Sequence, residues 1–184
     1  MKIRKIVFFC WVSFTPFLLS QQVYFEDVGK DSGTEVLRNT HGSGMFDYNN
    51  DGFPDIFVVH NVSVSPLGDQ PHALLRNEKD GTFTDLTTAA GVQGYNVSAQ
   101  GFAAADYDND GDVDMLVAMG NWHPLIYMNR GDGTFANKSR FSGMNGMASF
   151  ARVGAFFDYN NDGYVDLFFD ADDETYLFEN QHDR

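Results

Sequence analysis

The sequence predicts an all-β chain made of three repeated units, each a short-stranded sheet of the kind that forms a propeller blade. Three observations predict it. A nine-residue Asp/Asn/Gly pattern occurs three times, apolar runs recur around it in units of 52 to 58 residues, and no segment sustains a helical period. Repeats of roughly 40–50 residues with four strands per unit are the mark of propeller blades.

Residues 1–20 read as an export signal. Lys2, Arg4 and Lys5 precede an apolar run from Ile6 to Leu19, which has the length of a signal h-region and falls short of a membrane span. Cleavage is expected near Ser20, which leaves 21–184 as the repeat region. The single cysteine, Cys10, lies inside the signal, and Phe9 before it argues against a lipoprotein cleavage site. The mature chain then carries no disulfide, so any staple must be something else, such as a metal. Past Leu19 no apolar stretch is long enough to cross a membrane.

The first expected strand is Val23–Val28. Its Phe25-Glu-Asp-Val matches Phe83-Thr-Asp-Leu and Phe135-Ala-Asn-Lys, each 22 or 23 residues before the first Asp of a nine-residue loop. After each loop comes one apolar run (Ile56-Phe-Val-Val, Met115-Leu-Val-Ala, Leu167-Phe-Phe), and then a second ending in Asn77, Asn129 or Asn180. In the middle unit the strands are expected at Phe102–Ala105, Asp114–Met119, Leu125–Asn129 and Thr134–Lys138, bounded by Gly, Asp and Asn. The chain starts on a fourth-type strand and stops where the last unit needs one. Three blades are fewer than the four to eight of a ring, and repeat units need neighbours. The favoured reading is a piece of a longer protein; an open arc and self-association of several chains to complete a propeller are the alternatives.

The loops are 47–55, 106–114 and 158–166. Each has Asp or Asn at positions 1, 3, 5 and 9 and Gly at position 6, the arrangement of a short loop wrapping oxygens around one hard cation. Oxygen donors suit Ca²⁺, which takes six to eight of them, and the thiolates that would point to zinc are absent. Position 7 would add a backbone carbonyl. The expected ligands are Asp47, Asn49, Asp51, Phe53 and Asp55; Asp106, Asp108, Asp110, Asp112 and Asp114; and Asp158, Asn160, Asp162, Tyr164 and Asp166, for about three ions. Gly52, Gly111 and Gly163 supply the positive φ that turns position 7 inward. An EF-hand needs Glu at position 12, where Val58, Val117 and Phe169 stand, so that reading fails. Ordinary hairpin turns share the composition, but four carboxylates packed into 106–114 would repel one another with no cation between them.

Charge excludes some partners. Twelve basic and 26 acidic residues give −14, and without Lys2, Arg4 and Lys5 the remainder carries −17. Such a surface repels nucleic acid and anionic membrane. Ten of the acidic charges occupy loop positions 1, 3, 5 and 9.

These residues resemble the FG-GAP/VCBS-type repeat proteins, whose blades look like those of the integrin α-subunit propeller. The likeness is to the cartilage-acidic-protein-like branch of secreted proteins. It rests on 101–114 (Gly-Phe-Ala-Ala-Ala-Asp-Tyr-Asp-Asn-Asp-Gly-Asp-Val-Asp), on Leu75 to Thr87 and on Met128 to Phe135, and it covers nearly everything after the signal. It implies a Ca²⁺-stabilised propeller acting outside the cytoplasm in cell adhesion or protein and glycan recognition. The chain departs from the family in having only three units.

No nucleophile elbow, phosphate loop or zinc signature is present, and an enzyme is not expected. His60, His72, Trp122 and His123 fall in the connections after the second strand of a unit, opposite the Asp-rich hairpins. They mark the best binding-surface expectation, with Trp122 able to stack on a sugar or anchor a protein. The main functional expectation is thus a secreted Ca²⁺-dependent recognition module. The alternative is the non-catalytic or substrate-binding part of an extracellular polysaccharide-acting enzyme.

Overall fold

The computed structural model describes residues 25–35, 40–60, 72–94, 98–120, 123–139, 144, 151–171 and 174–182. The signal segment and Trp122 lie outside them.

Three antiparallel sheets follow one another along the chain. The first pairs β1 (Thr40–Phe46), β2 (Asp55–His60), β3 (Ala73–Asn77) and β4 (Phe83–Asp85) in sequence order. The second pairs β5 (Ala99–Ala105), β6 (Asp114–Met119), β7 (Leu125–Asn129) and β8 (Phe135–Asn137) in the same order. The third has β9 (Ala151–Phe157), β10 (Asp166–Ala171) and β11 (Thr175–Phe178), and no fourth strand among the described residues. All three therefore place the nine-residue loop between their first and second strands. The all-β architecture of four, four and three strands matches the sequence expectation of propeller-type blades.

The sheets pack face to face through β1, β5 and β9. Strand β6 shows why the middle sheet is the core of the molecule. Met115, Val117 and Met119 point into a cluster with Phe57, Val59, Leu74, Tyr127 and Phe135, while Leu116 and Ala118 point into a second cluster with Met144, Leu167 and Phe169. Alternation with a period of two thus buries both faces of β6, so its sequence reads as a continuous apolar run.

Two features differ from the sequence reading. Phe25–Val28 is not a strand: it makes no ladder with a neighbour, and Phe25 is 97 % exposed. A strand needs a partner for its backbone groups, and the described residues offer this segment none. Short helices also follow two of the Phe-x-Asp signals: α1 (Gly29–Ser32) after Asp27 and α2 (Thr87–Ala90) after Asp85, each ended by a left-handed glycine, Gly33 or Gly91. One turn of helix is too short to leave a periodic signal.

Candidate metal centres

Each loop is held by its own carboxylates. The position-1 aspartates (Asp47, Asp106, Asp158) accept the N–H of position 5 at 3.0–3.1 Å on one oxygen and that of the position-6 glycine at 2.7–2.9 Å on the other. Position 5 (Asp51, Asp110, Asp162) accepts the N–H of position 7 at 2.9–3.0 Å. The loop glycines adopt φ of 84°, 94° and 90°, as their place in the pattern requires.

Position 9 is the deepest. Asp55, Asp114 and Asp166 are all but fully buried at the start of β2, β6 and β10. One oxygen of each accepts the N–H of the tyrosine at position 2 (Tyr48, Tyr107, Tyr159), and the other accepts the N–H of Asn77, Asn129 or Asn180. Burial raises the pKa of Asp114 to about 7, against the pull of the Asn129 and Tyr107 N–H groups, and the charges of Asp108 and Asp110 add to the rise. Burial likewise raises Asp55 and Asp108. A carboxylate cluster that resists ionisation to this degree is one that a cation would relieve.

In the second loop one carboxylate oxygen each from Asp106, Asp108 and Asp114 lies within 4.8 Å of the others. The donor set is hard and anionic, which fits Ca²⁺. The outer loops differ at position 3. Asn49 and Asn160 donate their side-chain N–H to Asp51 and Asp162 at 3.2 and 3.0 Å and accept the same residues' N–H on Oδ1. Basic side chains also stand beside these outer loops: Lys79 Nζ is 3.2 Å from Asp51, and His182 Nε2 is 3.7 Å from Asp162. The second loop is the most anionic of the three.

The remaining expected residues separate. His60 and His72, at the end of β2 and just before β3, are buried in the first sheet and not on the surface expected of them. The His60 N–H donates to His72 Nδ1 at 3.3 Å, and burial lowers both pKa values, His72 to about 4 with the charge of His60 contributing. His123 is half-buried ahead of β7.

Sequence reasoning missed two sets of asparagines. Asn50, Asn109 and Asn161, at position 4, take φ of 56–59°. Asn50 donates to Gly111 O and Asp112 Oδ1 in the second loop, and Asn109 donates to Gly163 O in the third. Asn129 and Asn180 reach the other way, each donating Nδ2 to the tyrosine carbonyl of the preceding loop, Tyr48 O and Tyr107 O, at 2.7 Å. Their signal is a repeated one: Asn stands at position 4 and at the end of the second apolar run after the loop in every unit.

A family model described as "FG-GAP-like repeat" matches residues 47–117 and 106–169, more than half of the chain. Cartilage acidic protein 1 of Xenopus tropicalis is 31% identical over 102 residues, covering 54% of this chain and 16% of the relative. The Homo sapiens protein of the same name is 33% identical over 102 residues, covering 54% of this chain and 15% of its own length. The match thus takes in about one-sixth of the curated relatives.

Proposed function

The chain belongs to the FG-GAP-like repeat family, and from that premise we propose that it is a secreted calcium-binding propeller-type module that works by recognition. The observation that carries the metal reading is the convergence of Asp106, Asp108 and Asp114 around a shared point in a loop that repeats three times. Position-1, -3, -5 and -9 side chains and the position-7 carbonyl would hold one Ca²⁺ per loop, and the ion would supply charge neutralisation between the first two strands of each sheet. The second loop is expected to bind most tightly, because it carries Asp at position 3 where the outer loops carry Asn.

The name of the relatives, cartilage acidic protein, and the net charge of −14 support an extracellular setting. No helix among the described residues is long and apolar enough to cross a membrane. The recognised partner is of the protein or glycan class, and the role proposed is adhesion rather than turnover.

Extracellular Ca²⁺ modules bind at about 10⁻⁴–10⁻³ M, and a ligand that binds only the native state raises stability by about 2.7 kcal/mol at a hundredfold excess over Kd. The melting temperature should therefore rise between chelator and saturating Ca²⁺, and Asp108→Ala should diminish the rise. Identical melting in the two conditions would sink the metal reading. Recognition is tested separately, by probing glycan and matrix-protein arrays with the calcium-loaded chain. A signal that chelation leaves untouched would count against a calcium-dependent contact.

A further inference from the structure

The peptide that joins positions 6 and 7 of the second loop is held at both ends. Its N–H, that of Asp112, donates to the position-5 carboxylate of Asp110 at 2.9 Å. Its carbonyl, Gly111 O, accepts the side-chain N–H of Asn50 at 3.2 Å. The third loop repeats the arrangement: Tyr164 N–H donates to Asp162 Oδ1 at 2.9 Å, and Gly163 O accepts from Asn109, also at 2.9 Å. In both, the outer grip comes from position 4 of the preceding loop. Asn50 adds a second bond, to Asp112 Oδ1 at 2.8 Å. The other oxygen of that carboxylate is confined too, since a Cβ on Gly131 would meet Asp112 Oδ2 at 2.6 Å.

Position 4 is suited to such a link. Asn50 and Asn109 hold φ of 56° and 59° between positions 3 and 5, two ligand positions whose side chains must turn together around an ion. A filled loop would therefore fix the residue between them and the direction of its amide. At the far end of the bond stand Asp112 and Tyr164, which offer the position-7 carbonyl of the next loop. What one filled loop has ordered, the next need not order again, and binding to a part already ordered costs less. The backward amides lack this property. Asn129 and Asn180 end on position-2 carbonyls, which are not ligands.

We propose, on the calcium reading of these loops, that they take up Ca²⁺ cooperatively, with Asn50 and Asn109 as the positioning residues that couple the middle loop to each neighbour. Coupling between sites is reciprocal. The middle loop, once filled, thus favours the first through Asn50 and the third through Asn109. Repulsion between ions in neighbouring loops works against this, and at physiological salt screening over about 8 Å reduces it.

Each loop carries its own reporter, because the N–H of Gly52, Gly111 or Gly163 is bonded to the position-1 aspartate of its loop. Amide-resolved NMR of the chain, titrated with Ca²⁺, reads the midpoint of each loop separately. Asp108→Ala weakens the middle loop directly, seen at Gly111. It should also raise the midpoints at Gly52 and Gly163 by about three- to tenfold, the worth of one or two hydrogen bonds. Asn50→Gly keeps the left-handed backbone and removes only the amide. In that background Asp108→Ala should no longer move Gly52 but should still move Gly163, which separates the link from the mere loss of a charge. Midpoints at Gly52 and Gly163 that ignore Asp108→Ala overturn the coupling and leave the metal reading standing. So does a response at Gly52 that survives Asn50→Gly. No Ca²⁺-dependent shift at any of these glycines overturns both.

Discussion

Asp108 and Asp114 lie in one loop, yet their removal should have opposite consequences. Asp114 is buried and holds two backbone N–H groups, so Asp114→Ala leaves both without an acceptor. The expected loss is about 3 kcal/mol, measured by urea unfolding in chelator. Asp108 is exposed and adds repulsion to its neighbours. In chelator, Asp108→Ala should be neutral or stabilising, while the stabilisation by Ca²⁺ shrinks. His72 sets a second residue-scale expectation. Its folded pKa is depressed to about 4 from 6.5, so the buried neutral ring contributes fully above pH 6.5. Stability should fall as pH drops from about 6.5 towards 4, by up to about 3 kcal/mol. His72→Phe should flatten that part of the profile of melting temperature against pH. The ligand pattern was legible in the sequence because spacing alone defines it. The burial of His60 and His72 was not, since histidines flanking a loop read as surface until the packing around Phe57 is known.

At the scale of elements, each sheet is tied to the next by a pair of side-chain amides pointing in opposite directions, Asn50 forward and Asn129 back across the first interface, Asn109 forward and Asn180 back across the second. Close approach does the rest. A Cβ on Gly44 of β1 would meet the Phe102 ring at 2.5 Å, so β1 and β5 pack at a separation that only a bare backbone permits. Gly44→Val should therefore cost about 1–3 kcal/mol in urea unfolding, whereas a substitution at Gly52 would act through its φ of 84° instead. The strands of the middle sheet were readable to within a few residues, because β6 and β7 carry unbroken apolar runs. The Val23–Val28 strand was expected from similarity to Phe83-Thr-Asp-Leu, but its described part, Phe25–Val28, pairs with none of the described strands. Local sequence specifies a strand's character, and only a neighbour makes it a strand.

For the whole molecule, ten loop carboxylates and a net charge of −14 mean that the metal-free chain folds against its own field. Raising monovalent salt from about 10 mM to about 1 M, which shortens the screening length from roughly 30 to 3 Å, should raise the melting temperature in chelator. The same change should do much less once Ca²⁺ is bound. The number of units was legible from the loop count, whereas their face-to-face order required seeing that β6 buries both faces. The backward-pointing asparagines give this stack a direction in time. Asn129 needs the Tyr48 carbonyl and Asn180 needs that of Tyr107, so each acceptor is made before its donor as the chain emerges from synthesis. The stack can assemble like a ratchet from its N-terminal end, each unit clicking onto one already in place, and a stalled chain would be left with a finished base and an open top.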